Sequence, residues 1–135
     1  MAYKIDTIEG VGPAFAEKFN AVDISTVEQL LEKGATVKGR KELVEATGID
    51  ASRILRFVNY ADLFRIKGVA GQMAELLEAA GVDTVKEFRN RNAANLAEKC
   101  KEINDVKNLV GKVPSEKELQ TMIDQAKELE PVVTH

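Results

Sequence analysis

Closely spaced glycines occur at two places in the sequence, and they give backbone amides a possible chemical role. In the segment IEGVGPAFAEKF, Gly10 and Gly12 flank Val11 and precede Pro13. Glycine permits positive φ angles and sharp reversals, and it has no side chain to keep other groups away from the backbone. A reversal that leads into a helix leaves unpaired N–H groups at the helix N-terminus, and such groups attract anions. The chemistry that these residues favour is therefore anion binding.

Residue types that support catalysis are scarce. His135 is the only histidine and stands at the last position, where nothing is expected to hold it as a base or ligand. Cys100 is the only cysteine, so it has no histidine partner to activate it as a nucleophile and no second cysteine for a zinc site. GVG is too short for a dinucleotide-binding fingerprint and follows no predicted strand. We therefore expect no enzymatic activity, no metal and no cofactor.

Composition limits the remaining classes of function. The chain has 135 residues, 44% of them hydrophobic, which is enough for one domain or two very small ones. Aromatic residues make up 5% and there is no Trp, which argues against a stacking surface for single-stranded nucleic acid. The formal net charge is −3, so the molecule as a whole does not attract phosphate. A single cysteine, no long apolar run and no signal-peptide pattern predict a soluble, cytoplasmic protein.

The glycine segment belongs to an internal repeat. When Ile8–Leu31 is laid on Ile66–Arg89 without a gap, hydrophobic positions coincide and eight pairs are identical. The identical pairs are Ile8 and Ile66, Gly10 and Gly68, Val11 and Val69, Ala16 and Ala74, Glu17 and Glu75, Ala21 and Ala79, Thr26 and Thr84, and Val27 and Val85. Further on, Leu43 and Val44 can be laid on Leu96 and Ala97. The pattern predicts a duplication, with a first unit at 1–61, a second at 62–130 and a flexible tail at 131–135.

Local signals predict helices throughout and no strand. Pro13 suits the first position of a helix, where its missing N–H is not needed. Ser25 or Thr26 is expected to cap a helix that Gly34 ends, and a further helix is expected from Arg40 to Thr47. In the second unit, Ser115 and Glu118 have capping-box spacing. Asp23 aligns with Gly81 at a turn that requires a left-handed backbone, which Asp tolerates better than most residues.

Both glycine segments resemble the helix-hairpin-helix family, whose pattern is hydrophobic-x-Gly-hydrophobic-Gly-x-x-x-Ala. IEGVGPAFAEKF fits this pattern completely, whereas IKGVAGQMAELL has Ala70 at the second glycine position and Gly71 one residue later. Over about residues 3–129 the chain is similar to a bacterial family of tandem helix-hairpin-helix proteins of unknown function. The resemblance implies an all-α protein with two tandem five-helix units of SAM-like, helix-hairpin-helix architecture.

The resemblance also implies a function. In nucleic-acid-binding members, hairpin amides hold a phosphate of the DNA backbone, a contact that positions the protein without reading sequence. Two hairpins could hold both strands across the minor groove, so we predict non-catalytic, non-sequence-specific binding of double-stranded DNA. The residues expected to bind are Gly10, Val11, Gly12 and Lys18 at the first hairpin, Lys67, Gly68, Val69, Ala70 and Gly71 at the second, and Lys38, Arg40 and Lys41 as auxiliary phosphate contacts.

Two alternatives remain open at this point. The negative net charge, Glu9 beside the first hairpin and Ala70 in the second all weaken the expectation of DNA binding. The glycines would then serve only close helix packing, and the protein would be an adaptor that binds another protein or itself. A third possibility is a small anionic ligand bound between the two units.

Overall fold

Helices account for the regular structure of the chain. The computed structural model describes residues 3–69 and 71–135, and within them the only β feature is an isolated bridge between Lys4 and Thr26. The elements are a 3-10 turn (Ile5–Thr7), α1 (Pro13–Asn20), α2 (Val27–Gly34), α3 (Val37–Thr47), α4 (Ala51–Leu63), α5 (Gln72–Ala79), α6 (Val85–Phe88), α7 (Ala93–Lys107) and α8 (Glu116–Glu128). The predicted all-α class is confirmed. No helix in these residues combines the length and the apolar character that crossing a membrane requires.

Helix starts follow the side-chain signals in the sequence. Thr26 and Ser115 each accept a hydrogen bond from the backbone N–H three residues on, and each is part of a complete capping box. The start predicted for α3 at Arg40 is wrong, because α3 begins at Val37. The reason is the N-cap at Thr36, whose hydroxyl accepts a hydrogen bond of 3.0 Å from Gly39 N–H and so starts the helix one turn earlier.

The chain divides into two compact units, Met1–Asp62 with Val132–His135, and Leu63–Pro131. Counting the 3-10 turn, the described part of the first unit has five helical segments, whereas residues 64–68 of the second unit form turns before α5. The last four residues thus belong to the first unit. Val133 is buried, and the backbone N–H of Thr134 donates a hydrogen bond of 2.8 Å to the carbonyl of Ala35.

Backbone details of the first unit recur in the second. The turn after α1 passes through Asp23 at φ +65°, and the turn after α5 passes through Gly81 at φ +94°, as the aligned sequences predict. Thr26 and Thr84 occupy the N-caps of α2 and α6. These pairs show that the sequence similarity extends to local conformation.

Each unit has an apolar core that includes residues from the repeated segment. In the first unit Phe19, Ile24 and Leu30 are completely buried. Their counterparts in the second unit, Leu77, Val82 and Phe88, are also completely buried. The two cores fix the loops that precede α1 and α5, where the glycines lie.

Candidate functional site

The first glycine loop is a tight reversal anchored by a buried valine. The N–H of Val11 donates a hydrogen bond of 3.1 Å to the carbonyl of Ile8, and both side chains are buried. Between them, Gly10 has φ +96°, a conformation that L side chains rarely adopt. A Cβ at Gly10 would also lie 3.2 Å from the Phe57 ring, so the absence of a side chain lets this ring pack against the reversal.

Several backbone N–H groups at the first loop have no hydrogen-bond acceptor in the described residues. Gly12 is the N-cap of α1 and supplies no side-chain acceptor, while Pro13 has no N–H to satisfy. Among the described residues, no acceptor receives the N–H groups of Gly10, Gly12, Ala14 or Phe15. Gly10, Gly12 and Ala14 are exposed to solvent. The loop therefore presents free amide donors at the positive end of a helix.

The second glycine loop has the same reversal and a different entry into its helix. The N–H of Val69 donates a hydrogen bond of 3.1 Å to Ile66, and Gly68 has φ +91°. A Cβ at Gly68 would lie 3.2 Å from the Met122 methyl group. Ala70, a predicted binding residue, lies outside the described residues. Gly71, the N-cap of α5, has φ +49° and ψ −120°, whereas Gly12 is extended.

The side chains around the second loop also reduce its similarity to the first. The backbone N–H of Lys67 donates a hydrogen bond of 3.1 Å to the Gln125 side chain, so this amide already has an acceptor. Its counterpart, the N–H of Glu9, donates to no acceptor in the described part of the chain. The first loop is therefore the more open of the two to an anion.

The structure places the predicted basic residues in three different environments. Lys18 is exposed on the last turn of α1, at the end away from the glycine loop. Lys67 is exposed directly before Gly68 in the second loop. Lys38 and Lys41 are exposed on α3. Three of these four lysines therefore lie on helices and not on the glycine loops themselves.

Arg40 differs from its lysine neighbours because it is buried. Its Nη1 donates hydrogen bonds of 2.8 and 3.1 Å to the carbonyls of Gly34 and Ala35, and its Nη2 donates to the carbonyl of Thr134. Burial lowers the pKa of the Arg40 guanidinium, which stays charged because arginine does not deprotonate in proteins. Arg40 joins the C-terminal segment to α2 and α3, and we do not retain it among the proposed phosphate contacts.

The sequence groups Arg53 with Arg56, Arg65 and Lys67 as a basic cluster that could add salt-dependent binding, but it does not place Arg53 near the first glycine loop. The Arg53 guanidinium lies 5.8 Å from the ring centroid of Phe15, on the first turn of α1, and forms an ion pair of 2.6 Å with Asp50. Hydrogen bonds from the Ser52 hydroxyl and from Arg53 lower the pKa of Asp50 to about 2. No sequence signal could reveal this cation near the first loop, because only the packing of α4 against α1 brings it there.

The side-chain types that ligate metals do not cluster in the described part of the chain, and the cysteine is buried. Residues 3–69 and 71–135 contain no group of three His, Cys, Asp or Glu side chains that could hold a metal ion. Cys100 is completely buried in α7, and burial raises the pKa of its thiol to about 11. The thiol is therefore protonated and inaccessible at neutral pH.

Comparison with known proteins gives one match. A family model described as a domain of unknown function, DUF4332, matches residues 9–129. No curated protein and no solved structure matches the chain. The matched range includes both glycine loops and all eight α-helices of the described residues.

Proposed function

The chain belongs to the DUF4332 family, whose description assigns no function, and we propose that it is a non-catalytic protein that binds double-stranded DNA through two helix-hairpin-helix motifs. In this proposal each glycine loop is the hairpin, and its free amides contact phosphates without reading sequence. The observation that carries the proposal is the exposed set of unpaired amides at Gly10, Gly12 and Ala14.

The recurrence of the reversal supports a binding role for both loops. Gly10 and Gly68 have φ angles of +96° and +91°, and in each loop a valine N–H closes the turn at 3.1 Å. A closely packed side chain lies under each of these glycines. Two phosphate contacts of the same geometry would suit the repeating backbone of a duplex.

Free amides favour the first hairpin as the stronger of the two, whereas the lysine directly beside a glycine loop, Lys67, belongs to the second. Lys18 is exposed on α1, and the guanidinium of Arg53 lies close to Phe15 on the same helix. Glu9 opposes these cations, and the net charge of −3 gives no long-range attraction. We therefore expect weak affinity that depends steeply on salt concentration, since each phosphate contact releases counterions.

The test uses a matched pair of substitutions at Gly12, where a Cβ would meet no atom within 4 Å. Asp and Asn are equally good N-cap residues of nearly the same shape, so Gly12→Asp and Gly12→Asn differ mainly in charge. Binding to a fluorescent 20-base-pair duplex would be measured by anisotropy at about 50 and 200 mM salt.

We expect the wild-type protein to bind at the lower salt concentration and to weaken at the higher one. Gly12→Asn should bind somewhat less well, since its side chain competes for the amides, and Gly12→Asp should bind at least about tenfold less well than Gly12→Asn because its carboxylate repels phosphate. Absence of wild-type binding at 50 mM salt would refute the proposal. Equal binding by the two variants would exclude the first hairpin from the interface.

A further inference from the structure

Each unit contains a surface cavity formed by equivalent elements. In the second unit the cavity has a volume of about 520 Å³ and lies between the turn after α5, residues 90–92 and the first turns of α7. In the first unit a cavity of about 330 Å³ lies between the turn after α1, the end of α2 and α3. Both volumes are in the range that small-molecule sites occupy.

The buried positions of α3 and α7 show which residues of the two helices correspond to each other. Three positions of α3 are buried, Arg40, Leu43 and Thr47, and three of α7 with the same spacing, Ala93, Leu96 and Cys100. This agrees with the alignment of Leu43 with Leu96. Gly39, Glu42 and Ala46 in the first cavity therefore correspond to Asn92, Asn95 and Lys99 in the second.

A cation lines each cavity and donates a hydrogen bond to the turn that precedes it, at neighbouring rather than identical positions, since Val22 aligns with Ala80 and Asp23 with Gly81. Lys33 Nζ donates a hydrogen bond of 3.0 Å to the carbonyl of Val22, in the turn after α1. Its counterpart Arg91 donates through Nη2 to the carbonyl of Gly81 at 2.7 Å, in the turn after α5. A Cβ at Gly81 would lie 3.0 Å from Arg91 Nη2, so this glycine makes room for the guanidinium. The cation is thus part of the shared architecture.

At the two other corresponding positions on α3 and α7, the second cavity carries more positive charge than the first. The first cavity contains the carboxylate of Glu42 and the methyl group of Ala46, whereas the second contains the carboxamide of Asn95 and the ammonium group of Lys99. All four residues are exposed on their helices, and the first unit folds without a cation or carboxamide at these positions. Folding of such a unit therefore does not require the carboxamide of Asn95 or the ammonium group of Lys99 that line the second cavity.

From this difference we infer that the second cavity binds a small molecule that carries a phosphate group, and that its counterpart in the first unit does not. Glu87 balances the charge of Arg91 through an ion pair of 2.8 Å, which also holds the guanidinium in place. Lys99 then supplies the excess positive charge, and no carboxylate lines the cavity. Nη1 and Nε of Arg91 donate to no acceptor in the described residues and remain free for a phosphate oxygen.

The rest of the lining suits an uncharged, hydroxyl-bearing portion of the ligand. Asn95 brings a carboxamide that can both donate and accept hydrogen bonds, and Leu96 and Ala80 add apolar surface. Asn90 Nδ2 already donates to the Lys86 carbonyl and Asn92 Oδ1 already accepts from Asn95 N–H, so these two carboxamides offer the ligand their remaining groups. A phosphate monoester of a sugar fits this combination of groups. The site is separate from the glycine loops, so it does not depend on the proposed DNA binding.

The test exchanges the differing residues between the two units. In the full chain, Asn95→Glu with Lys99→Ala gives the second cavity the residues of the first, and Glu42→Asn with Ala46→Lys does the reverse. Ribose 5-phosphate is the probe, with ribose and inorganic phosphate as controls and a short DNA duplex as a competitor. Binding is measured by calorimetry and by NMR shifts of the residues that line each cavity, after circular dichroism has shown that both variants fold.

We expect ribose 5-phosphate to bind the wild-type protein with a Kd below about 1 mM and to shift residues of the second cavity only. Asn95→Glu with Lys99→Ala should weaken binding at least tenfold, and Glu42→Asn with Ala46→Lys should add a second site. Gly12→Asp should leave the probe's affinity unchanged, which separates this site from the hairpins.

Three results would overturn the inference. The first is no saturable binding of ribose 5-phosphate by the wild-type protein, and the second is unchanged binding after Asn95→Glu with Lys99→Ala. The third is binding of the duplex that requires Asn95 and Lys99 while ribose 5-phosphate does not bind, since these residues would then contact DNA and not a small molecule.

Discussion

Gly10 and Gly12 are separated by one residue, yet they should respond differently to the same substitution. Gly10 has φ +96° and a side chain there would meet the Phe57 ring, whereas Gly12 has φ −86° and open space around it. We predict that Gly10→Ser lowers the free energy of unfolding by about 1–3 kcal/mol, through backbone strain and the ring contact. Gly12→Ser should change it by less than about 0.5 kcal/mol, because serine is a good N-cap residue.

Urea unfolding of the two serine variants, followed by circular dichroism, would measure the difference. The wild-type protein is the reference, and both variants carry the same new side chain, so intrinsic differences between residue types cancel. Similar losses of stability in the two variants would contradict the assignment of the positive φ angle to Gly10 alone.

The start of α4 carries a carboxylate whose contribution depends on pH. Asp50 accepts a hydrogen bond of 3.2 Å from the backbone N–H of Arg53, and the Ser52 hydroxyl and the Arg53 guanidinium also donate to it. Its pKa is lowered from 3.8 to about 2 in the folded protein, so the charged form stabilises the fold above pH 4. That contribution is lost as the pH falls from about 4 to about 2.

We therefore predict that the stability difference between the wild-type protein and Asp50→Asn is largest above pH 4 and shrinks towards pH 2. Urea unfolding of both proteins at several pH values between 5 and 2 would measure it. The comparison cancels the titration of the other carboxylates, which both proteins share. A difference that stays constant over this range would mean that the charge of Asp50 does not stabilise α4.

At the scale of the whole molecule, the chain leaves the first unit after Asp62 and returns to it at Val132. The side chain of Val133 is buried in the first unit. Two hydrogen bonds also hold the returning segment: Thr134 N–H donates to the Ala35 carbonyl, and the Arg40 guanidinium donates to the Thr134 carbonyl. Removing it would expose apolar surface and leave part of the Arg40 guanidinium without an acceptor.

We predict that deletion of residues 132–135 destabilises the first unit by about 2 kcal/mol, from one lost valine contact and the lost hydrogen bonds. Hydrogen exchange would test this, with faster exchange expected for amides of α2 and α3 and no change for amides of α7. The substitution Thr134→Ala is the matched control, because it keeps the backbone contacts. Unchanged exchange in α2 and α3 after the deletion would contradict a structural role for the segment.

Sequence alone predicted much of the local structure. The similarity of Ile8–Leu31 to Ile66–Arg89, the entry of α1 at Pro13, a cap at Ser25 or Thr26 and the capping box at Ser115 were all predicted from residues close together in the chain. The left-handed backbone at Asp23 was predicted from its alignment with Gly81. Local sterics and short-range hydrogen bonds decide such features, so they can be read without knowing the tertiary structure.

Tertiary structure decided which side chains are accessible and which lie together. Lys38, Arg40 and Lys41 look alike in sequence, but only Arg40 is buried, because carbonyls of Gly34, Ala35 and Thr134 surround its guanidinium. The position of Arg53 over Phe15 and the equivalence of the two cavities depend on packing between distant segments. The sequence by itself determined the helices, their caps and the repeat, since these follow from interactions within a few residues. The surfaces that a ligand would meet were decided only by the fold, because long-range packing selects which groups remain exposed.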